Sequence, residues 1–322
     1  MQLPDGFTIR PPRPEDGVPL VAMMNREELA LTGRITTSLE WVVTPWTAPG
    51  ARLERDYAIV VDRDGQPAGY LMLDAHEPYT RIFAVGAVAL PLQGRGVGAA
   101  VLGEIERRAR ALAELAPAGE QVLLNVGSLA DEPRVAGLLT AHGYREVRRF
   151  WVMTIAFGAD PPDPELPPGY ELRAVELEHM DAVYDCLADA FRDHFGDFEP
   201  RERWLHGHVT TDSFDPGLWR VAWHDGCVAG ALVAVAESTD DPSLGSVDLL
   251  GVRRDERGRG LGEALLRSAF AALAARGSQG ATLLVDSESP TGATRLYERV
   301  GMTARPSYVT WEKLVRDFGP VA

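Results

Sequence analysis

A glycine-rich loop that occurs twice is the feature that most constrains what this chain can fold into. One copy, QGRGVG, spans 93–98, and the other, RGRGLG, spans 257–262. An apolar run that predicts a strand precedes each copy, at 83–90 and 247–252, and an amphipathic stretch that predicts a helix follows it. Backbone amides in such a loop and at a helix N-terminus point into one concavity that suits phosphate groups. The chain is therefore predicted to bind a nucleotide-containing cofactor.

The spacing of the glycines separates the known nucleotide-binding loops. Neither copy ends in Gly-Lys-Ser/Thr, so a P-loop is excluded. The first copy fits dinucleotide spacing through Gly94, Gly96 and Ala99, but the second has Glu263 where the third small residue should stand. Both copies share Val-x4-Gln/Arg-Gly-Arg-Gly-x-Gly. This shared pattern resembles the acetyl-CoA loop of the GNAT N-acyltransferase superfamily, and the resemblance implies acetyl-CoA as the acyl donor.

The repeat extends well beyond the loops. Three further pairs of segments match in the same order: 6–10 with 169–173, 64–69 with 225–230, and 138–144 with 296–302. Between the halves, the proline-rich segment 159–168 predicts a stiff extended linker. The sequence thus predicts a tandem duplication, with an N-terminal domain at 1–158 and a C-terminal domain at 169–322.

Each half predicts the same order of elements. A first strand and one or two helices are followed by an Asp-Gly hairpin, the strand before the loop and a long helix. A further strand, at 122–126 or 282–285, a short helix and a last hairpin complete the half. Strands that alternate with helices predict the α/β class. The GNAT resemblance implies a mixed central sheet flanked by helices in each domain, splayed open where the cofactor lies, and the two-domain layout resembles the mycothiol synthase-like acetyltransferases.

Composition limits the partners. The net charge of −15 and the lack of any basic run argue against nucleic-acid binding, and no apolar stretch reaches membrane length. With only Cys186 and Cys227, no disulfide framework is indicated, which favours a cytoplasmic protein. His206 and His208 come nearest to metal-ligand spacing, but no third ligand is close in sequence, so no metal is predicted.

Acyl transfer to an amine needs a group that protonates the departing thiolate and a group that deprotonates the ammonium. Tyr297 lies in a segment that resembles the GNAT signature of Leu-Tyr before a glycine, and the resemblance implies that its hydroxyl reaches the sulfur. The alternative is a core aromatic on a short helix. Asp248 is the candidate base, since regular strand alternation places it on the face of Leu250, where a carboxylate among apolar residues would hold a proton more tightly. The alternative is an exposed aspartate.

The predicted cofactor-binding residues lie in both loops, in the strands before them and before the last short helix. They are Leu250, Gly251, Val252, Arg257, Gly258, Arg259, Gly260, Leu261, Gly262, Ser289 and Ala293 in the second half, and Val88, Gln93, Gly94, Arg95, Gly96, Val97 and Gly98 in the first. Relatives of this kind usually carry Asn at or beside Ser289, so weaker binding of the pantetheine arm is expected.

The two halves differ at the catalytic position. Leu139 stands where Tyr297 stands in the second half, so the first half lacks the proton donor. Catalysis is therefore predicted in the C-terminal domain, while the N-terminal domain either binds CoA or serves as scaffold. Mycothiol synthase-like proteins carry a glutamate where this chain has Ser246. The open functions are acetyl transfer to a primary amine, with mycothiol synthase or polyamine acetylation as variants, and a non-catalytic acyl-CoA sensor.

The acceptor is predicted from the segment 189–199, which combines three phenylalanines with acidic residues. In GNAT folds this region arches over the acceptor side of the cleft. Carboxylates and aromatic faces both attract cations, so Asp193 and Asp197 are predicted to bind a small cationic amine. The alternative is an acidic surface loop whose phenylalanines pack into the core.

Overall fold

The computed structural model describes residues 3–158, 165–289 and 291–317. The chain forms two compact units. Unit 1 contains the described residues up to Arg148 and from Tyr308 onward, and unit 2 is Arg149–Ser307. Among the described residues, no helix combines the length and hydropathy needed to span a bilayer.

Unit 1 is a mixed sheet with helices on both faces. Its elements are β1 (Thr8–Arg10), α1 (Gly17–Thr32), α2 (Leu39–Val43), α3 (Leu53–Asp56), β2 (Tyr57–Val61), β3 (Pro67–Asp74), β4 (Arg81–Val88), α4 (Val97–Ala113), β5 (Val122–Leu129), α5 (Pro133–Ala141), and parts of β6 (Arg145–Ala156) and β12 (Thr303–Arg316). The strands follow the order β1-β2-β3-β4-β5-β12, and only β4 and β5 are parallel among these pairs. Alternate residues of β2 pack against α4 on one face and α1 on the other.

Unit 2 repeats this arrangement. Its elements are β7 (Glu171–Arg173), α6 (Met180–Ala190), α7 (Arg201–Val209), β8 (Arg220–His224), β9 (Cys227–Val235), β10 (Leu244–Val252), α8 (Leu261–Ala275), β11 (Gly280–Asp286), α9 (Ala293–Arg299), and the remaining parts of β6 and β12. The strand order is β7-β8-β9-β10-β11-β6, with only β10 and β11 parallel. One core cluster lies between the sheet and α8, and another lies between the sheet and α6. The predicted α/β class with mixed sheets is confirmed.

The last strand of each sequence half belongs to the other half's unit. β6 pairs antiparallel with β11, from Phe150–Asp286 to Ala156–Gly280. β12 pairs antiparallel with β5 from Tyr308 onward. The units therefore differ from the predicted boundaries at 158 and 169, and these two pairings replace the last hairpin predicted for each half. Periodicity marks a strand but does not encode its partner, because such pairing is non-local. Residues 159–164 of the predicted linker lie outside the described residues.

The predictions of local structure, at the two Asp-Gly turns and in the helices after the two loops, agree with the structure. Both Asp-Gly segments form tight turns between paired strands, with Gly65 at φ 76° and Gly226 at φ 79°. The helix after each loop buries the predicted face, because Val101 and Leu265 each pack on the sheet beneath them. Each loop is thereby held between a strand end and a helix N-terminus.

Candidate active site

A cleft of about 800 Å³ opens in unit 2 between β10 and β11. The two strands are paired only from Leu244–Gly280 to Val247–Leu283, although both continue further. Beyond Val247, the β10 edge that faces the cleft has no strand partner among the described residues, so it presents main-chain groups to the cleft. The splayed sheet implied by the family resemblance is therefore present in unit 2.

A β-bulge at Asp248 accompanies the divergence of the two strands. The register of β10 against β9 shifts between Val247 and Leu249, which leaves Asp248 as the extra residue. A bulge bends its strand and increases the local twist. The bend starts at the last residue of β10 that pairs with β11, so the bulge explains where the cleft begins.

The bulge also decides which way Asp248 faces. Val247 and Leu250 pack in the same cluster under α8, whereas Leu249 packs against α6. Ser246 Oγ donates to Asp248 Oδ1 at 2.7 Å, which places Asp248 on the side opposite Val247 and Leu250. The prediction that Asp248 shares the face of Leu250 is wrong, because it assumed unbroken alternation. Asp248 is exposed at the cleft and is not buried among apolar side chains.

The second glycine-rich loop forms one wall of the cleft. Gly258 and Gly260 have φ values of 77° and 84°, the left-handed region that glycine adopts without strain. A Cβ added at either would meet nothing within 4 Å, so the space above the loop is open. Among the described residues, the amides of 258–260 donate to no backbone carbonyl, and Gly260 caps the N-terminus of α8. This geometry suits an anionic group such as a pyrophosphate.

The arginine side chains of the loop point to protein partners. Arg257 donates from Nε to the Val252 carbonyl at 3.2 Å and from Nη2 to the Ala190 carbonyl at 2.8 Å. Arg259 pairs with Glu256 at 2.5 Å and donates to the Tyr170 hydroxyl at 2.9 Å. The contacts of Arg257 tie the loop to the end of β10 and to α6, and those of Arg259 tie it to Glu256 and Tyr170. The arginine side chains therefore anchor the loop to the protein, while its backbone amides are left available to a ligand.

Other predicted cofactor residues border the cleft, and one of them, Gly251, also has a packing role. A Cβ at Gly251 would lie 2.9 Å from side-chain atoms of Ala190 and Leu187, so this glycine lets α6 approach β10. Leu250, Val252, Leu261, Gly262 and Ala293 border the cleft. Ser289 also borders it, and its hydroxyl lies 3.0 Å from that of Thr291, so the two hydroxyls form a pair beside α9.

Tyr297 lies on α9 and borders the cleft. Its side chain is 7% exposed and packs in the cluster under α8. Burial raises the pKa of Tyr297 to about 12. The phenol is therefore protonated at neutral pH, and its hydroxyl has no hydrogen-bond partner among the described residues. Tyr297 is a core aromatic that also borders the cleft, so its packing in the core is compatible with the predicted role of proton donor.

The predicted acceptor-binding carboxylates do not stand free in the cleft. Asp193 borders the cleft, but its carboxylate pairs with Arg254 at 2.5 Å and with Arg257 at 3.4 Å. Asp197 is exposed and is not among the residues that line the cleft. A cationic acceptor would have to displace two arginines from Asp193.

His194 is a cleft residue that sequence reasoning missed. It follows α6 and a short 3-10 turn at Phe191–Asp193. Its imidazole Nδ1 lies 3.2 Å from the Phe195 carbonyl oxygen, and its ring packs against Phe191. The only signal in the sequence was the presence of a histidine in the segment 189–199. The prediction for that segment relied instead on its acidic and aromatic residues.

The equivalent split in unit 1 differs in two respects. β4 and β5 pair only from Arg81–Leu123 to Ala84–Val126, so these strands also diverge, and Gly94 and Gly96 repeat the left-handed φ values. However, β4 pairs with β3 without a bulge. Leu139, at the position of Tyr297, is 2% exposed in the core.

A polar cluster also borders the split of unit 1. The Glu27 carboxylate, on α1, accepts hydrogen bonds from the Gln93 side chain and from the Val88 main chain. Arg134, on α5, donates to the other end of the Gln93 side chain at 3.0 Å. Burial is the main cause that raises the pKa of Glu27 to about 7. Val88 and Gln93 were predicted to bind cofactor, and in unit 1 both are engaged with Glu27. Arg95, Val97 and Gly98 complete that loop and the start of α4.

Comparison with known proteins agrees with this geometry. The model of the GNAT acetyltransferase family matches residues 180–302, which include the bulge, the loop and Tyr297. A mycothiol acetyltransferase from Salinispora arenicola is 30% identical over 78% of this chain and 79% of the relative. The chain is a tandem GNAT N-acetyltransferase.

Solved structures support the tandem GNAT architecture. A GCN5-related N-acetyltransferase from Sphaerobacter thermophilus is 32% identical, covers 98% of both chains and superposes with a TM-score of 0.78. A tandem GNAT protein from the clavulanic acid biosynthesis pathway has a TM-score of 0.71 over 98% of this chain, at 18% identity. The second likeness concerns the fold alone. The duplication read from the sequence thus has full-length structural counterparts.

Proposed function

We propose that this tandem GNAT protein transfers an acetyl group from acetyl-CoA to the primary amine of a small molecule, with catalysis in the cleft of unit 2. One observation carries the proposal. The same cleft is bordered by a loop with open backbone amides and by a buried tyrosine that is protonated at neutral pH. An enzyme that uses acyl-CoA needs such a loop to hold the donor and such a protonated side chain to release the thiol.

The residues present fit the donor. The amides of Gly258 and Gly260 and the N-terminus of α8 would hold the pyrophosphate. The unpaired edge of β10 at 248–252 would take the pantetheine arm, and Ser289 offers a further hydroxyl. Acetyl-CoA supplies an activated thioester. Tyr297 would donate its proton to the sulfur as the carbon–sulfur bond breaks, which makes the leaving group a neutral thiol.

Unit 1 is proposed to be non-catalytic. Leu139 offers no proton, and β4 lacks the bulge. Glu27 holds the Val88 amide and the Gln93 side chain, which are the groups expected to meet a cofactor. In its charged form, the Glu27 carboxylate also repels phosphate groups.

The acceptor is proposed to be a small-molecule amine. The similar enzymes from Salinispora arenicola and Thermobispora bispora are named mycothiol acetyltransferases, so the unacetylated form of mycothiol is the first acceptor to test. A small cationic amine is the second, supported by the net charge of −15 and by the exposed carboxylate of Asp248 at the cleft.

The test measures free CoA thiol released by the full chain with each acceptor. Tyr297→Phe should lower kcat by roughly ten- to a thousandfold and leave the Kd for acetyl-CoA unchanged, as expected for loss of one general acid. Tyr70→Phe is the matched control, because Tyr70 is a buried tyrosine of unit 1 with a raised pKa. Full turnover in Tyr297→Phe, or an equal loss in Tyr70→Phe, would contradict the assignment of the donor.

A further inference from the structure

We propose that His194 is the base that removes the proton from the acceptor's ammonium group, an inference that rests on the proposed function. His194 borders the same cleft as Tyr297 and Asp248. Its main-chain amide donates to the Phe191 carbonyl at 2.9 Å, which fixes the backbone of the turn after α6. The imidazole is thus carried by an ordered turn on the α6 side, the side to which the bulge directs Asp248.

The contacts of the ring define its tautomer. Nδ1 lies 3.2 Å from the Phe195 carbonyl oxygen. A carbonyl only accepts, so Nδ1 carries the hydrogen and donates it, and Nε2 keeps its lone pair. The ring is 5.2 Å from the ring of Phe191, which in turn stacks on Phe198 at 5.4 Å. Among the described residues, Nε2 has no hydrogen-bond partner, so its lone pair is available to a proton from the acceptor.

The neighbouring charged groups are less suited to the task. Asp193 is neutralised by Arg254 and Arg257. Asp189 accepts from the Arg254 amide at 3.1 Å and pairs with Arg192 at 3.5 Å. Asp248, on β10, is exposed and its carboxylate accepts a hydrogen bond from the Ser246 hydroxyl. A carboxylate suits attraction of the ammonium group, while an imidazole whose Nε2 lone pair is available suits removal of its proton.

The proton transfers balance with these residues. His194 Nε2 takes one proton from the ammonium, and the freed nitrogen lone pair forms the bond to the thioester carbon. The carbon–sulfur bond breaks, and its electron pair on sulfur receives the proton of Tyr297. The second nitrogen proton then returns through solvent to the Tyr297 oxygen. The imidazolium releases its proton to solvent, so one proton is released for each amide formed.

The experiment compares pH profiles of kcat/KM for the acceptor in the full chain. In wild type, kcat/KM should fall at acidic pH, because a base that is already protonated cannot take the acceptor's proton. His194→Ala should lower kcat by about a hundred- to ten-thousandfold and leave the Kd for acetyl-CoA unchanged. The fall of kcat/KM at acidic pH, which is the acidic limb of the profile, should disappear in this variant. Added imidazole should restore part of the rate. His76→Ala is the matched control, because His76 Nδ1 makes the same 3.2 Å contact to the next carbonyl in unit 1.

The outcomes separate this inference from the proposed function. Loss of activity in Tyr297→Phe together with unchanged rate and pH profile in His194→Ala would overturn the role of His194 alone. Loss of the acidic limb in Asp248→Asn, with the limb intact in His194→Ala, would assign the base to Asp248. A wild-type chain that acetylates no amine would overturn both proposals.

Discussion

Gly260→Asp tests whether the second loop holds the donor, and the structure sets its cost to folding. Gly260 has φ 84°, and a new Cβ would meet nothing within 4 Å. Left-handed backbone costs a residue with a side chain about 1–2 kcal/mol. A carboxylate at the N-terminus of α8 returns about 0.3–1 kcal/mol through the helix dipole. The variant should therefore stay folded, with a loss of about 1 kcal/mol in the free energy of unfolding.

The effect on binding should be much larger. A carboxylate about 4 Å from one phosphate charge, at an effective dielectric constant of about 20, is repelled by about 4 kcal/mol. That energy corresponds to about a thousandfold increase in the Kd for acetyl-CoA. The added side chain would also obstruct the amides of the loop. Calorimetric titration measures the Kd, and thermal unfolding verifies the fold.

Gly96→Asp is the matched control. Gly96 has φ 86° at the N-terminus of α4, and the nearest atom to an added Cβ is Pro4 Cγ at 3.8 Å. The two variants should therefore cost similar stability, while Gly96→Asp leaves turnover and the Kd largely unchanged. Equal losses of activity from both changes would refute the proposed division between the units, and an unchanged Kd in Gly260→Asp would refute the role of the loop.

Two further predictions follow from buried and paired carboxylates. The pKa of Glu27 is raised from 4.5 to about 7, so the wild-type protein loses stability as pH rises through that range. Glu27→Gln removes this loss. It should therefore raise the free energy of unfolding by up to about 3 kcal/mol at pH 8 and by little at pH 5. Urea unfolding at both pH values measures this, and a pH-independent difference would contradict it. Asp193→Asn should raise the KM for acetyl-CoA several-fold by loosening Arg257, whereas Asp197→Asn should change neither KM. A selective rise of the acceptor KM in both variants would instead restore the cation-binding role first predicted for these residues.

The sequence by itself determined the repeated units of structure. The loops at 93–98 and 257–262, the Asp-Gly turns and the buried faces of α4 and α8 follow from local backbone preferences and from periodicity, which neighbouring residues encode. The difference between Leu139 and Tyr297 could also be found from the sequence, because the two halves of a duplicated sequence can be aligned with each other. Fold class, family and the candidate proton donor were therefore within reach of the sequence.

Only the tertiary structure decided which groups meet. The bulge at Asp248 moves that side chain to the other face, and a single extra residue in a strand leaves no mark in the apolar pattern. Strand β6 joins β11 across more than a hundred residues of sequence, and Glu27 reaches Gln93 across 66. Asp193 and His194 are adjacent in sequence, yet one is neutralised by two arginines and the other faces the cleft. Such differences depend on long-range contacts, because burial and pairing fix the state of a side chain only after distant segments have packed together.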